Sequence, residues 1–182
     1  PNGIGGNSGY FNLIISGSGT KTIYAAPLMV RGNFTLSGTA SATAADTIIV
    51  LGNTTIDQGA TFVTGSNRHF LEGNFENNGT FTPTSGGEIT FNGTTVQTIS
   101  GNSTTSFDNL TVDNLLGLTM ESNINVNNEL TFNNGTLSVG ANTLGINGSV
   151  SNPSGNIEVT AASSLSFGGT SAITLNNNLF NG

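Results

Sequence analysis

The sequence predicts an all-β protein, a right-handed parallel β-solenoid with three short strands per coil of about 20 residues. Three observations carry the prediction. First, apolar-polar-apolar triplets return every six to eight residues through the second half: Leu110-Thr111-Val112, Leu118-Thr119-Met120, Ile124-Asn125-Val126, Leu130-Thr131-Phe132, Leu137-Ser138-Val139, Leu144-Gly145-Ile146, Ile157-Glu158-Val159, Leu165-Ser166-Phe167 and Ile173-Thr174-Leu175, with a weaker beat at Val150. Period-two alternation puts the outer residues of each triplet on one face of a strand and the middle residue on the other. Second, every third beat recurs at a nearly constant interval, as in Leu110 to Leu130, Ile124 to Leu144, Leu130 to Val150 and Leu137 to Ile157. Third, Asn-Gly, Gly-Asn, Asn-Asn and Ser-Gly pairs separate the beats, and these residues tolerate the positive φ of tight corners.

In the first half the beats are looser. They fall at Leu13-Ile14-Ile15, Thr22-Ile23-Tyr24, Leu28-Met29-Val30, Phe34-Thr35-Leu36, Ile48-Ile49-Val50, Thr55-Ile56, Thr61-Phe62-Val63, Phe70-Leu71, Thr80-Phe81-Thr82, Glu88-Ile89-Thr90-Phe91 and Val96-Gln97-Thr98-Ile99. The stretch Ala40 to Ala45 has helical propensity but is interrupted by Ser41 and Thr43, and it reads as a corner. Leu110, Leu130 and Val150 are expected to stack inward as rungs of one face, with Thr111 and Thr131 turned to solvent. About nine coils at about 4.8 Å per rung make a rod about 43 Å long. Asn at aligned corners adds ladders of side-chain amide bonds.

The 182 residues are read as a single continuous solenoid, residues 1–182, and as a piece of a longer chain, because they stop at Leu179-Phe180-Asn181-Gly182 in mid-metre. A longer duplication overlies the metre: residues 10–36 resemble 106–132, with Leu13 and Ile15 matching Leu110 and Val112, and Val30, Phe34 and Leu36 matching Val126, Leu130 and Phe132. Two tandem sandwich domains would also produce this duplication. The interval of about 96 residues is close to five coils, however, and sandwich strands run longer than three residues.

Only 7% of residues are charged, and Gly, Asn and Thr each make up roughly one residue in seven, so hydration comes from amides and hydroxyls. Ten acids stand against Lys21, Arg31 and Arg68, for a net charge of −7. Phosphate binding needs clustered Lys and Arg, which excludes nucleic acid and disfavours anionic membrane surfaces. No apolar run is long enough for a membrane span. Cys is absent, which a solenoid tolerates because each coil adds its own core. The composition points to the outside of a cell.

Residues 86–114, GGEITFNGTTVQTISGNSTTSFDNLTVDN, resemble the repeats of large cell-surface adhesins exported by Bacteroidota through type IX secretion. Phe91-Asn92-Gly93, Gln97, Ile99 and Gly101 fill the first part of that repeat, and Phe107, Asn109, Leu110, Thr111, Val112 and Asn114 the second. Residues 164–180 are similar to a diverged copy, with Phe167, Gly169 and Thr170 over Phe91, Gly93 and Thr94. The resemblance implies a surface-exposed stalk or adhesive segment, with surface glycans or other cell-surface material as partners and self-association through the terminal coils.

Chemistry is sparse. Polysaccharide-cleaving enzymes also use parallel β-helices and need paired carboxylates, which makes a carbohydrate-active protein the alternative. The acids Asp46, Asp57, Glu72, Glu76, Glu88, Asp108, Asp113, Glu121, Glu129 and Glu158 are scattered over the coils, and no catalytic residue is assigned. His69 is the only histidine and cannot build a zinc site without Cys or further His. No metal or cofactor site is assigned, and calcium at an isolated Asp/Asn corner is not readable from spacing. Eight N-x-[ST] sequons occur, at Asn33, Asn53, Asn78, Asn92, Asn102, Asn109, Asn134 and Asn147, about as many as this composition gives by chance. Asp46-Thr47-Ile48 matches the Bacteroidota O-glycosylation pattern and marks Thr47 as the candidate acceptor. An ice-binding solenoid is the further alternative; it needs Thr aligned in successive coils, and in the second half the outward positions Thr111, Thr131 and Thr174 or Thr119, Ser138 and Glu158 are too irregular to supply such a face.

Overall fold

The computed structural model describes residues 9–24, 27–152, 154–169, 173–175 and 178–181. Every strand pairing among them is parallel, and the strands stack as a β-solenoid of about 8 turns with about 20 residues per coil. The chain enters on a first face with β1 (Leu13–Ile15), turns to a second with β2 (Ser18–Ile23) and to a third with β3 (Leu28–Val30). The same circuit repeats in β4 (Phe34–Leu36), β5 (Thr39–Ala44) and β6 (Ile48–Val50), then in β7 (Thr54–Ile56), β8 (Thr61–Val63) and β9 (Arg68–Leu71), then in β10 (Phe75–Asn77), β11 (Thr80–Thr82) and β12 (Glu88–Phe91). β13 (Gln97–Ser100) lies on the first face, and β14 (Thr105–Asp113) bends from the second face onto the third. β15 (Leu118–Met120) returns to the first, and β16 (Ile124–Ser138) runs over the second and third faces onto the first without a break. β17 (Thr143–Ile146), β18 (Ser149–Ser151), β19 (Gly155–Glu158), β20 (Ser164–Phe167) and β21 (Phe180–Asn181) complete the stack.

All four intervals taken from the metre are register partners: Leu110 with Leu130, Ile124 with Leu144, Leu130 with Val150 and Leu137 with Ile157. Alternation does what it should. In β4, Phe34 and Leu36 are buried while Thr35 between them is half-buried on the outside. The inward residues form one continuous core along the axis. Its middle is aromatic, with Phe75 packed on Phe81 at 5.4 Å between centroids and Phe81 on Phe107 at 5.4 Å.

Several expectations need correcting. Ala40 to Ala45 is not a corner: β5 covers it as far as Ala44, with Ala40, Ala42 and Ala44 buried and Ser41 and Thr43 outside. Ladder bonds to β2 and β8 override the helical propensity of alanine. Phe75–Asn77 and Thr105–Phe107 are strand that the metre missed, since Asn77 and Thr105 take inward positions normally held by apolar residues. Ile173 to Leu175 is not strand. Thr131 is half-buried on the outside, but Thr111 is only 5% exposed because neighbouring side chains cover it. Leu13 and Ile15 lie on the first face and their duplicates Leu110 and Val112 on the third, so the duplication does not preserve the face. Any inward-outward-inward triplet can align with any other. Of the diverged copy, Phe167 is 46% exposed where Phe91 is fully buried, and Thr170 lies outside the described residues.

The expected amide ladder runs along the corner between the third and first faces. Asn12, Asn33, Asn53 and Asn74 each accept, through Oδ1, the backbone N–H one coil on, at 2.8 Å from Asn33, 2.9 Å from Asn53, 3.0 Å from Asn74 and 3.0 Å from Thr98. A glycine precedes the last three of these asparagines. A Cβ on Gly52 would sit 2.6 Å from Asn33 Oδ1 and from the Gly32 backbone, so the close stacking of corners requires Gly there.

Candidate functional site: a polar groove on the third face

The outer side of the third face carries two columns in register. One runs Arg68, Glu88, Asn109 and Glu129, and the other Phe70, Thr90, Thr111 and Thr131. Between Phe107/Asn109 and their partners Val126/Glu129 the register slips, because β16 has an extra residue where it turns from the second face onto the third. That bulge lifts Asn128 onto the rim, where its Nδ2 donates to Asn109 Oδ1 at 2.6 Å. With Asn133 on the far side, these residues other than Phe70 and Thr90 enclose a groove of about 330 Å³.

Glu88 organises the floor. Its Oε2 meets Arg68 Nε at 2.7 Å, the one ion pair among the described residues. Its Oε1 accepts from Thr111 Oγ1 at 2.7 Å and from Thr90 Oγ1 at 3.1 Å. The carboxylate side chain is 16% exposed and the Arg68 side chain 58%, so the guanidinium keeps part of its donor fan towards solvent. Glu129 stands exposed two rungs along the same column, about 9.6 Å away at the Cα level. The groove therefore offers an exposed carboxylate, three amides, hydroxyls and part of a guanidinium, a set suited to the hydroxyls of a sugar chain.

The other acids do not join it. Glu76 accepts from Asn78 Nδ2 at 2.7 Å, Asp108 from the Gly86 N–H at 2.7 Å, and Asp113 from Asn134 Nδ2 at 2.7 Å. Glu158 lies on the first face beside Ser138. Among the described residues no three of His, Asp and Glu are grouped so as to hold a metal. Thr47 lies half-buried at the corner between the second and third faces, with its N–H bonded to Asp46 Oδ1 at 2.6 Å.

His69 is interior. Its Nδ1 accepts the Ile48 N–H at 3.0 Å, so Nε2 carries the proton and donates to the Thr64 carbonyl at 2.6 Å. Desolvation by burial lowers its pKa from 6.5, against the opposing pull of the Thr64 bond and the Asp46 charge. It ties neighbouring coils together.

The adhesin-like motif is also mostly interior. Gln97 is fully buried, with Oε1 accepting from the Gly93 N–H at 2.8 Å and Asn114 Nδ2 at 3.0 Å, while Nε2 donates to the carbonyls of Leu71 at 2.9 Å and Gly73 at 2.6 Å. Phe91, Ile99 and Phe107 are core. Asn109 and Thr111 are the motif residues that reach the groove. Sequence reasoning missed the groove because its residues are spread over four coils and only the register brings them together. No family model, curated protein or solved structure matches this chain.

Proposed function

We propose that this chain is a rod-like segment of an extracellular adhesin at a bacterial cell surface, and that the third-face groove is where it holds glycan. The observation that carries this reading is the groove itself, an uninterrupted polar strip across four rungs of a stiff parallel ladder. Sugar hydroxyls pair well with carboxylates, amides and hydroxyls fixed on strands, since the receptor side chains lose little freedom on binding. The resemblance of residues 86–114 to surface adhesin repeats agrees with it.

Glu88 and Glu129 are also the pair on which the carbohydrate-active alternative rests, because two rungs of one column set their Cα atoms about 9.6 Å apart, at the upper end of the carboxyl separation of inverting glycosidases. Binding is favoured over cleavage by the state of Glu88, whose oxygens are already committed to Arg68, Thr90 and Thr111. The test is native electrophoresis through gels cast with soluble bacterial surface polysaccharides. Retardation by at least one polysaccharide is expected, reduced several-fold in Asn128→Ala and Glu129→Ala. Mobility unaffected by every polysaccharide would refute the groove as a glycan site, and new reducing ends that vanish in Glu129→Ala would establish cleavage instead.

A further inference from the structure

Over its first four coils the second face carries an array separate from the groove. β2, β5, β8 and β11 form their own four-stranded sheet, paired in register without a bulge. One outward column reads Thr20, Ser41, Thr61 and Thr80, and a second reads Thr22, Thr43, Val63 and Thr82. Ser18 and Thr39 extend the sheet at one edge. Nine of these ten outward residues bear a hydroxyl, none is charged or aromatic, and all are exposed or half-exposed. Val63 keeps the shape of Thr with a methyl in place of the hydroxyl.

The spacing follows from the fold. Rungs repeat at about 4.8 Å along the axis, and alternate residues of a strand at about 6.7 Å across it. Oxygen atoms on the prism faces of hexagonal ice repeat at close to both spacings. Fixed hydroxyls hydrogen-bond to first-layer water, while the methyls between them hold it away from disordered orientations. A charge in the array would impose its own hydration shell, and there is none.

We propose that this sheet binds ice, taking the ordered water over the two hydroxyl columns as its ligand. The second face does not continue the array beyond the sheet: each later strand has one outward position in place of two, the column there reads Ser106, Asn125, Gly145 and Ser166, and Asn125 and Gly145 interrupt its hydroxyls. Ice adhesion is thus assigned to the N-terminal coils, and the glycan groove to the middle of the rod. A polysaccharide chain would favour the carboxylates and amides that line the groove or an aromatic platform, and this sheet offers neither, since its outward residues are hydroxyl-bearing or aliphatic and Phe62 and Phe81 both point inward.

The experiment is adsorption of fluorescently labelled protein to a growing ice hemisphere, with facet formation in single crystals as a second readout. Wild type and the first-face control Thr119→Lys should coat the ice, whereas Thr43→Tyr and Thr61→Lys should lose coverage more than tenfold while melting cooperatively near the wild-type temperature. A variant that does not fold is replaced by Thr20→Tyr, on an exposed position of the column that holds Thr61. Exclusion of the wild type from ice, or equal adsorption of the folded face variants, would overturn the proposal. Retention on crystalline cellulose, lost in those variants while the wild type stays out of ice, would overturn it in favour of a polysaccharide. Each result leaves the groove untouched, since Asn128 and Glu129 are not on this face.

Discussion

Position 111 separates alternation from exposure at the scale of single residues. Thr111 and Thr131 occupy the same outward column, yet Thr111 is buried under its neighbours and donates to Glu88. Leu130→Asp places an unpaired charge at a fully buried site and should cost more than about 3 kcal/mol. Thr131→Asp should cost about 0.5 kcal/mol or less, and Thr111→Asp about 1–2 kcal/mol, because it loses a bond and sets a second carboxylate against Glu88. Urea melts of the three variants check the order. His69 gives a pH signature. Burial disfavours its charged form, so the unfolded chain takes up the proton more readily than the folded one. Its contribution is therefore complete above pH 6.5 and is lost as the pH falls from there towards the lowered folded value. Melting temperatures between pH 5 and 8 should follow that slope, and His69→Leu should flatten it while lowering stability throughout by leaving the Ile48 and Thr64 backbone groups unpaired.

Corners, more than strands, distinguish one element from the next. Any face accepts an apolar-polar-apolar triplet, but only one corner has Gln97 plugging it with bonds to three backbone groups, backed by Asn114. Gln97→Leu should destabilise by about 2–4 kcal/mol, since it leaves the Gly73 carbonyl and the Gly93 N–H without partners in the interior and the Leu71 carbonyl with the Asn92 N–H alone. Chemical denaturation measures it, and a loss under about 1 kcal/mol would mean that water takes over those bonds. The glutamine stood out in the sequence as part of a motif, but its role did not, because its partners lie up to 26 residues away. β5 was misread for a related reason. Alanine alternating with Ser and Thr carries little hydrophobic signal, and only the flanking strands turn it into sheet.

For the whole molecule, stability follows from how well each coil closes on the next. From Ile48 to Ile146 the inward positions are nearly all buried, whereas Val150, Val159 and Leu165 are only partly covered. Hydrogen exchange should therefore be slowest for amides of β6 to β17 and faster in β18 to β20, in contiguous blocks. Uniform protection from end to end would contradict this. About 8 turns predict small-angle scattering from a single rod with a maximum dimension on the order of 45–50 Å. A two-lobed profile would be incompatible with one continuous stack.

The sequence by itself determined the class of fold, the coil length and which triplet residues face inward from Leu110 to Ile146, as the register of Leu110 with Leu130 and of Ile124 with Leu144 shows. Those properties are local: period-two alternation chooses the face, and the constant interval between corners sets the circuit. The Asn12–Asn74 ladder was legible only in outline, as an expectation that aligned corners would pair. What the tertiary structure alone decided is which outward residues become neighbours. Arg68, Glu88, Asn109 and Glu129, or Thr20, Ser41, Thr61 and Thr80, are about a coil apart in sequence and one rung apart in space. A surface in a solenoid is written across the coils, and an insertion or bulge at any corner changes which residues it aligns.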